Sequence, residues 1–564
     1  MKEQNFTLLI RKGFFYLMLF LSIQSKAQTI ASSTFEVGNI KTMLNADGRL
    51  FESDSTNMFY APKSGIVSSM YAANLWIGGL DGGGQIHLAA QTYRQSGTDF
   101  WPGPLDTITA SEDSITMALY NKIFPIRKSE VDSFKAGLGI SANILNWPGN
   151  GDISKNYSKK MAPYIDVNGD GYYDPYDGDY PSVRGDKMLW FVYNDVFGQH
   201  EEAKGSYKLG VEIRASVYGF DCADDTDCFN SFFVHYDIYN RSLYKLNNIY
   251  LGTWADIDLG YYADDYLGSM VDLSSFYGYN GDMYDDNGYG SSLAAQSVTI
   301  LQGPLADSND GIDNNHDSII DEAGERVELS HFMYYNNDFS AMGNPDSVQE
   351  FYNYMRGMWK DGSPLTYDGN GYGGNTVCNY MFPGNTDTAG IGTNGIALPE
   401  WSEVTSGNTP GDRRGLGSVG PLTFSPGQKI TFDLAYAFAQ NLQNPNDSLS
   451  VDLLRSRIKN LREKFAKDSL GNCLKTASIK NINVQTKRLI VAPNPAQDMV
   501  TIQLPNANES YNISIKNMLG EEVFSAKIKN QSNYNIDLNH VAKGCYSITA
   551  VGEQLYSSKL IIEK

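Results

Sequence analysis

Four apolar segments between residues 188 and 254 decide the fold: MLWFVY (188–193), LGVEIRASVY (209–218), FFVHYDIY (232–239) and IYLGTW (249–254). Several of them alternate polar with apolar residues, which is typical of antiparallel strands that bury one face. A fifth segment, ITFDLAYAF (430–438), follows a turn at residues 425–428. We therefore predict that residues 186–470 form a mainly β domain, an antiparallel β-sandwich of the jelly-roll type.

One amphipathic helix is predicted at the end of this domain. Its apolar residues recur at steps of three and four: Val451, Leu454, Ile458, Leu461 and Phe465. The opposite face is charged, so the helix either docks on the β domain or binds a partner, and we favour docking. Residues 471–487 are predicted to be a linker, and residues 28–185 a β-rich N-terminal region.

The charge of the chain excludes one class of partner and suggests another. Its 44 Lys and Arg residues against 65 Asp and Glu residues give a net charge of −21. Nucleic acid is therefore not expected as a partner, because phosphate binding needs clustered Lys and Arg. Much of the acid lies in short Asp/Asn/Gly clusters, so divalent cations are the expected partners.

The N-terminus has the pattern of a signal peptide. Lys2, Arg11 and Lys12 precede an apolar run at residues 14–23, and small residues follow at the two positions that a signal peptidase recognises, with cleavage predicted near Ala27. The run is shorter than the ~20 residues of a membrane span. We predict export, removal of residues 1–27, and no transmembrane segment.

Five cysteines in an exported chain allow disulfides. Cys222 and Cys228 lie close in sequence and are the candidate pair. Cys378 and Cys473 could form a second bridge, and Cys545 lies near the C-terminus. No thiol is assigned a catalytic role.

The sharpest local motif is DVNGDGYYDPYD at residues 166–177. Calcium loops of the EF-hand and dockerin type place oxygen ligands at positions 1, 3, 5, 7, 9 and 12, with glycine at position 6. The predicted Ca²⁺ ligands are Asp166, Asn168, Asp170, the Tyr172 carbonyl, Asp174 and Asp177. Pro175 and Pro181 disfavour a following helix. We expect an isolated loop between strands, with a structural role.

A second acidic segment at residues 310–322 resembles the Asp-rich calcium repeats of the thrombospondin type. Ser318 replaces the turn glycine, and Gly324 stands at position 12. The candidate ligands are Asp313, Asn315, Asp317 and Asp321. A third cluster, either a cation loop or a solvated loop, comprises Asp256, Asp258, Asp264 and Asp265.

Catalytic motifs are mostly absent: the chain has no His-Glu-x-x-His and no Gly-x-Ser-x-Gly. The sequence does not decide whether the chain has the paired carboxylates of a glycoside hydrolase, because their separation of about 5–10 Å depends on the fold. The acids on or beside predicted strands are Glu212, Asp237, Asp256 and Asp258. Trp101 and Trp147 could stack on sugar rings or pack within turns.

Residues 488–564 are predicted to be a separate small domain. About seven short apolar segments alternate with turns in the manner of an Ig-like β-sandwich. Five motifs lie in this segment: PNPA (493–496), NMLG (517–520), IDL (536–538), GCY (544–546) and KLIIEK (559–564).

In these motifs the segment closely resembles the type A C-terminal sorting domain of the type IX secretion system. Ala492 stands where a tyrosine often precedes the first motif. The resemblance implies handling by the type IX machinery and passage through the outer membrane of a Gram-negative bacterium. Secretion or attachment at the cell surface follows, usually with removal of the module.

The rest of the chain resembles a family of large exported proteins that share this module. The resemblance extends over nearly the whole mature chain. It implies where the protein is delivered but no biochemical activity. Its main segments are LWIGGL (75–80), AAQTYR (89–94), DFWPGPL (99–105), WPGNG (147–151), IDVNGDG (165–171), GDYP (178–181), LGVEI (209–213) and DLG (258–260).

Two hypotheses follow. The leading one is a non-catalytic surface or secreted module, stabilised by structural Ca²⁺, for adhesion, matrix structure or binding of an extracellular glycan or protein. The alternative is a secreted carbohydrate-active hydrolase on a β-sandwich scaffold.

Overall fold

The structure is a computed structural model that describes residues 29–52, 58–442, 447–471, 487–517, 522–552 and 555–564. The predicted signal peptide and most of the predicted linker lie outside these residues. Contacts divide the chain into two compact units, Met1–Cys473 and Leu474–Lys564. In the described ranges, no helix has both the length and the apolar character needed to cross a membrane.

The first unit is built mainly from antiparallel strands, so the predicted mainly β class is confirmed. In chain order the strands are β1 (Ser32–Val37), β2 (Ile40–Asn45), β3 (Phe59–Tyr60), β4 (Ala72–Leu80), β5 (Ile86–Ala89), β6 (Trp101–Pro102), β7 (Phe124–Arg127), β8 (Tyr164–Ile165), β9 (Tyr180–Pro181), β10 (Lys187–Asn194), β11 (Val211–Gly219), β12 (Ser231–Asn240), β13 (Leu246–Asp256), β14 (Asp265–Met270), β15 (Ser275–Asn280), β16 (Ala294–Gln302), β17 (His331–Asn336), β18 (Arg413–Phe424) and β19 (Lys429–Gln440).

Seven α-helices are described, most of them short. They are α1 (Ser114–Tyr120), α2 (Lys128–Lys135), α3 (Ala142–Leu145), α4 (Thr226–Phe229), α5 (Val348–Met355), α6 (Glu403–Ser406) and α7 (Asp447–Ala466).

Two large sheets dominate this unit. The nine-stranded sheet has the order β14–β15–β16–β19–β12–β11–β10–β6, with β7 also beside β10, and the five-stranded sheet has the order β17–β18–β13–β4–β5. The five apolar segments of the sequence correspond to β10, β11, β12, β13 and β19. Strands from both sides of residue 185 share these sheets, since β6 pairs with β10 and β4 pairs with β13.

The larger sheet is buried on both faces. One face packs into a core that it shares with the five-stranded sheet, through residues such as Phe191, Ile213 and Trp254. The other face carries Trp190 and Phe233 into a second core. All nine residues of β11 are buried, which explains why its sequence alternates only in part.

Helix α7 covers part of that second core. Leu454, Ile458 and Leu461 are fully buried there against strand residues. The predicted docking of the helix on the β domain is therefore confirmed. Its burial follows from the apolar stripe at three- and four-residue steps.

The predicted Cys222–Cys228 bridge is wrong. Cys222 is disulfide-bonded, whereas Cys228 carries a free, buried thiol in α4. Cys378 is also free, which overturns its suggested pairing with Cys473. Closeness in sequence did not select the partner of Cys222, because a disulfide requires a specific distance and orientation between the two Cβ atoms.

The second unit has its own apolar core, and the predicted C-terminal sheet region is present. The core includes Val500, Ile513, Ile548 and Leu560. The strands are β20 (Lys487–Arg488), β21 (Ile490–Ala492), β22 (Met499–Gln503), β23 (Ser510–Asn517), β24 (Glu522–Lys529), β25 (Asn533–Asp537), β26 (Gly544–Val551) and β27 (Leu555–Ile562). They form sheets of order β20–β27–β26–β23–β24 and β21–β22–β25.

Candidate functional site

The first predicted calcium loop follows β8 and ends at β9. These two strands pair with each other, Ile165 opposite Tyr180, so the ends of the loop are held together. Tyr173, in the middle of the loop, is anchored through its backbone N–H, which donates to Asn150 Oδ1 at 2.8 Å. The expected isolated loop between strands is what the structure contains.

Side-chain oxygens of this loop accept hydrogen bonds from its own backbone. Asp166 accepts from Gly169 N at 2.7 Å and from Gly171 N at 2.9 Å. Asp170 accepts from Tyr172 N at 2.7 Å and from Asn168 Nδ2 at 3.0 Å. These two bonds, that from Tyr172 first, favour the charged carboxylate and lower the pKa of Asp170. The loop turns at Gly169 and Gly171, which have φ of 77° and 79°.

A buried acid that the sequence reasoning missed also orders this loop. Asp179 is fully buried and accepts from Val167 N at 2.8 Å and from Asp174 N at 3.0 Å. It lies two residues after the twelve-residue motif, so the ligand spacing gave no reason to select it. Its two bonds therefore join the first turn of the loop to residue 174.

The second loop repeats the backbone geometry of the first. Asp313 at position 1 accepts from Ser318 N at position 6, at 2.9 Å, as Asp166 accepts from Gly171 N in the first loop. Its other bond comes from Asp317 N at position 5, at 3.1 Å, whereas Asp166 accepts from position 4. His316 and Ser318, at the positions of Gly169 and Gly171, have φ of 61° and 75°. Ser318 therefore adopts the left-handed conformation for which glycine is preferred.

The remaining acids of the second loop hold it closed in a different way. Asp321 accepts from Gly311 N at 3.2 Å, and Asn315 donates to Glu322 at 2.6 Å. Glu325, which the sequence reasoning did not select, is buried and accepts from Asn314 N. Gly324, at position 12, offers no side-chain oxygen.

In the described part of the chain, one group of three acids has mutually close oxygens, and it lies in neither loop. Asp256, Asp258 and Asp412 each place a carboxylate oxygen within 4.8 Å of the other two. Strand register explains the group. Asp256 at the end of β13 pairs with Arg414 at the start of β18, and the other two acids lie two residues beyond this pair. Alternate residues of paired strands share a face.

Arg414 organises these acids, which we call the acid trio. Its guanidinium lies 3.5 Å from Asp256 Oδ2 and 2.5 Å from Asp412 Oδ1. Tyr93 donates from its hydroxyl to Asp256 Oδ2 at 2.5 Å. Burial raises the pKa of Asp256 and of Asp258, and the proximity of Asp256 raises that of Asp258 further.

The acid trio lines a cavity of about 640 Å³. Its other walls are rich in hydroxyl and amide groups. They include Tyr71, Thr92, Tyr93, Gln95, Ser96, Glu202, Tyr262, Tyr335, Asn337, Asn344 and Arg414. Sequence reasoning selected Asp256 and Asp258 but missed Asp412 and Arg414, because the charged run at the start of β18 carries no recognisable motif.

A second cavity, of about 800 Å³, lies on one face of four neighbouring strands of the larger sheet. We call it the polar groove. Trp190, Ser216, His235 and Asp433 form one cross-strand row along β10, β11, β12 and β19. The adjacent row holds Arg214, Asp237 and Thr431, and further walls come from Lys160, Tyr164, Arg184, Gln302, Lys429 and Phe465.

Charged groups in the polar groove are mostly paired. Asp237 lies 2.9 Å from Lys429 and 3.7 Å from His235. Burial alone would raise the pKa of Asp237, but its bonds to His235 and Lys429 outweigh burial and lower it. Arg184, by contrast, has no carboxylate within 4.0 Å among the residues described.

Three of the residues considered for carbohydrate chemistry are buried. Glu212 is fully buried and lies 2.6 Å from Arg214 and 3.1 Å from Arg241. Burial opposes its ionisation, yet the two guanidiniums outweigh burial and lower its pKa. Trp101 and Trp147 are both buried, so neither ring is free to stack on a sugar.

Comparison with known proteins identifies the C-terminal segment. Residues 490–563 match the family model described as "Secretion system C-terminal sorting domain". No curated protein matches the chain. The predicted type IX sorting domain is therefore confirmed, and it marks a secreted or cell-surface protein that the type IX machinery handles.

Solved structures give only distant similarity. A polysaccharide lyase is 6% identical, with 62% of this chain and 34% of that chain covered and a TM-score of 0.18. The BSP domain of a biofilm-associated protein is 10% identical, with 94% and 80% covered and a TM-score of 0.14. This chain spans about a third of the length of the lyase. At such TM-scores neither similarity supports a functional argument.

Proposed function

We propose that this exported chain, whose residues 490–563 are a type IX sorting domain, is a calcium-stabilised module that binds an extracellular ligand. The observation that carries the proposal is the common geometry of the two predicted loops. Two segments with different sequences place oxygens at positions 1, 3 and 5 and take left-handed φ at positions 4 and 6. Calcium loops of this spacing wrap oxygen ligands from these positions around one hard cation.

The proposed ions have a structural role. In the first loop Ca²⁺ would be held by Asp166, Asn168, Asp170, the Tyr172 carbonyl, Asp174 and Asp177. In the second it would be held by Asp313, Asn315, Asp317 and Asp321. The ion balances carboxylates that would otherwise repel one another, and the surrounding backbone gains rigidity.

The first loop adjoins the polar groove, which links the ion to ligand binding. Lys160 lines the groove and lies 3.7 Å from Asp166, and Tyr164 lines it one residue before Ile165 ends β8. An ordered loop therefore positions one wall of the groove. The polar lining favours a glycan or a polar protein surface. Arg184, which has no carboxylate partner among the described residues, favours ligands that carry acidic groups.

Calorimetry of the purified chain tests the calcium claim. We expect Ca²⁺ to raise the melting temperature of the first unit relative to chelator, because a ligand that binds only the native state stabilises it. Asp170→Ala and Asp317→Ala should each remove part of this rise. Asp132→Ala, at an exposed helix position, is the control and should keep all of it. A melting temperature that ignores millimolar Ca²⁺ would refute the proposal.

Binding to a panel of neutral and acidic glycans tests the groove. Arg184→Ala should weaken binding of acidic glycans about tenfold, the loss of a charge-assisted contact worth about 1.4 kcal/mol. Arg455→Ala, which removes a partly exposed arginine outside the groove, is the matched control. Equal binding by both variants would place the ligand elsewhere.

Glycan hydrolysis is a second candidate function, favoured by one observation. The acid trio places carboxyl oxygens within 4.8 Å of one another, close to the separation of about 5 Å in retaining glycosidases. Raised pKa values for Asp256 and Asp258 suit a general acid. If the chain hydrolyses a glycan, Asp412→Asn should abolish turnover, and Asp237→Asn should leave it intact.

A further inference from the structure

We infer that Asp256, Asp258 and Asp412 form a site for a hard divalent cation of the calcium class, separate from both predicted loops. The inference goes beyond the proposed function and does not depend on it. The site lies where β13 ends and β18 begins, between two strands of the smaller sheet.

The separation of the oxygens fits the ion. Ca²⁺ binds oxygen at about 2.3–2.6 Å, so any two of its ligands lie at most about 5 Å apart. The trio meets this limit with its oxygens within 4.8 Å of one another. Three side chains at the adjoining ends of β13 and β18 thus converge before any ion is considered, which reduces the cost of ordering them on binding.

Unsatisfied oxygens provide independent support. Asp256 is only 2% exposed, and its Oδ1 has no hydrogen-bond partner among the described residues. Asp258 Oδ1 lacks a partner there as well. A buried polar group without a partner costs about 1–3 kcal/mol, and more when it is charged. Both side chains line the cavity, so an ion inside it can satisfy both oxygens.

The charge of the cluster also matches one divalent ion. Three carboxylates and the Arg414 guanidinium sum to −2. Arg414 occupies Asp256 Oδ2 and Asp412 Oδ1, which leaves Asp256 Oδ1 for another ligand. Without a cation, three carboxylates whose oxygens lie within 4.8 Å of one another repel each other.

The cavity gives the ion access and a second set of ligands. Its volume of about 640 Å³ leaves room for water molecules to complete the six to eight ligands of Ca²⁺. Three acids and several waters are typical of an open site rather than a closed cage. The bound ion would therefore face the cavity.

Titration calorimetry with CaCl₂ tests the site in a chain that carries Asp170→Ala and Asp317→Ala, so that the two loops do not contribute. We expect one ion to bind. Adding Asp258→Asn, or separately Asp412→Asn, should weaken binding at least tenfold, whereas adding the exposed Asp132→Asn should not. If the double variant binds no ion, or if both trio variants bind as well as it does, the inference fails.

Thermal melting separates loss of the site from damage to the fold. In chelator, Asp258→Asn should melt at the same temperature as its parent or higher, because it removes a charge that Asp256 repels. In Ca²⁺ it should melt lower than its parent, because it has lost the ion. The same order of stability in both solutions would overturn the inference. The loop variants test the calcium loops separately, so either claim can fail alone.

Discussion

His235 and Asp433 lie directly opposite each other on β12 and β19, with His235 Nδ1 2.8 Å from Asp433 Oδ1. Asp237 lies 3.7 Å from the other ring nitrogen, and Arg184 approaches that nitrogen at 3.4 Å. Burial and Arg184 oppose protonation of the ring. The two carboxylates outweigh them and raise the pKa of His235. The polar groove thus contains a histidine whose protonated form is favoured by two neighbouring carboxylates.

The first prediction concerns pH. Because the pKa of His235 is higher in the folded chain than in the unfolded one, protonation stabilises the fold fully below about pH 6.5. This contribution is lost as the pH rises through the folded pKa. As the pH rises from about 6.5 through the folded pKa, we expect the free energy of unfolding to fall for the wild type and to change less for His235→Gln. Parallel pH profiles of the two proteins, measured by urea unfolding, would contradict this account.

The second prediction concerns the buried ions around Glu212. Glu212→Gln should destabilise the first unit by about 3–5 kcal/mol, because it leaves Arg214 and Arg241 buried without their carboxylate. Asp132→Asn breaks the exposed pair with Lys128 and should cost at most about 1 kcal/mol. Denaturant unfolding measures both. Similar small losses would show that the buried carboxylate is dispensable.

The third prediction uses the two loops as a matched pair. Ser318→Gly relieves left-handed backbone strain of about 1–2 kcal/mol, but glycine also raises the entropy of the unfolded chain. The free energy of unfolding should therefore rise by about 0.5 kcal/mol. Gly171→Ser imposes the same strain and should cost about 1 kcal/mol. Its Cβ meets only the flexible end of Lys159, at 2.8 Å. Melting temperatures should shift in opposite directions, and shifts of the same sign would refute the equivalence of the loops.

The fourth prediction concerns helix α7. Ile458→Ala should destabilise the first unit by about 2–5 kcal/mol, because it opens a cavity where Ile458 is fully buried. Its neighbour Lys459 is exposed, and Lys459→Ala should change stability by less than about 0.5 kcal/mol. Thermal unfolding measures both changes. A small loss for Ile458→Ala would mean that the helix is not part of the cooperative unit.

Local patterns predicted the elements well. The five apolar segments became β10 to β13 and β19, and the apolar stripe of residues 451–465 became the buried face of α7. These features depend on neighbours within a few residues, where side-chain period and turn residues act directly. The motifs of residues 493–564 likewise identified the sorting domain, whose family model covers 490–563. The ligand sets of the two calcium loops remain a prediction.

Local sequence patterns did not predict which residues far apart in the chain lie together. Asp256 and Asp258 were selected from the sequence, but their partner Asp412 enters only because β13 pairs with β18. The cysteines show the same limit, since the nearby Cys228 is not the partner of Cys222. Likewise, no local segment indicates that β19 lies between β12 and β16 in the sheet.

By itself, the sequence determined the mainly β class, the amphipathic helix and the sorting domain, because each is encoded by residues close together in the chain. Only the tertiary structure decided which charged side chains meet. Glu212 is buried between two arginines, and His235 lies opposite Asp433. Asp256 and Asp258 lie beside Asp412 in one cavity. The physical reason is that strand register and sheet order arise from packing of the whole core, and they bring together residues that the sequence keeps far apart.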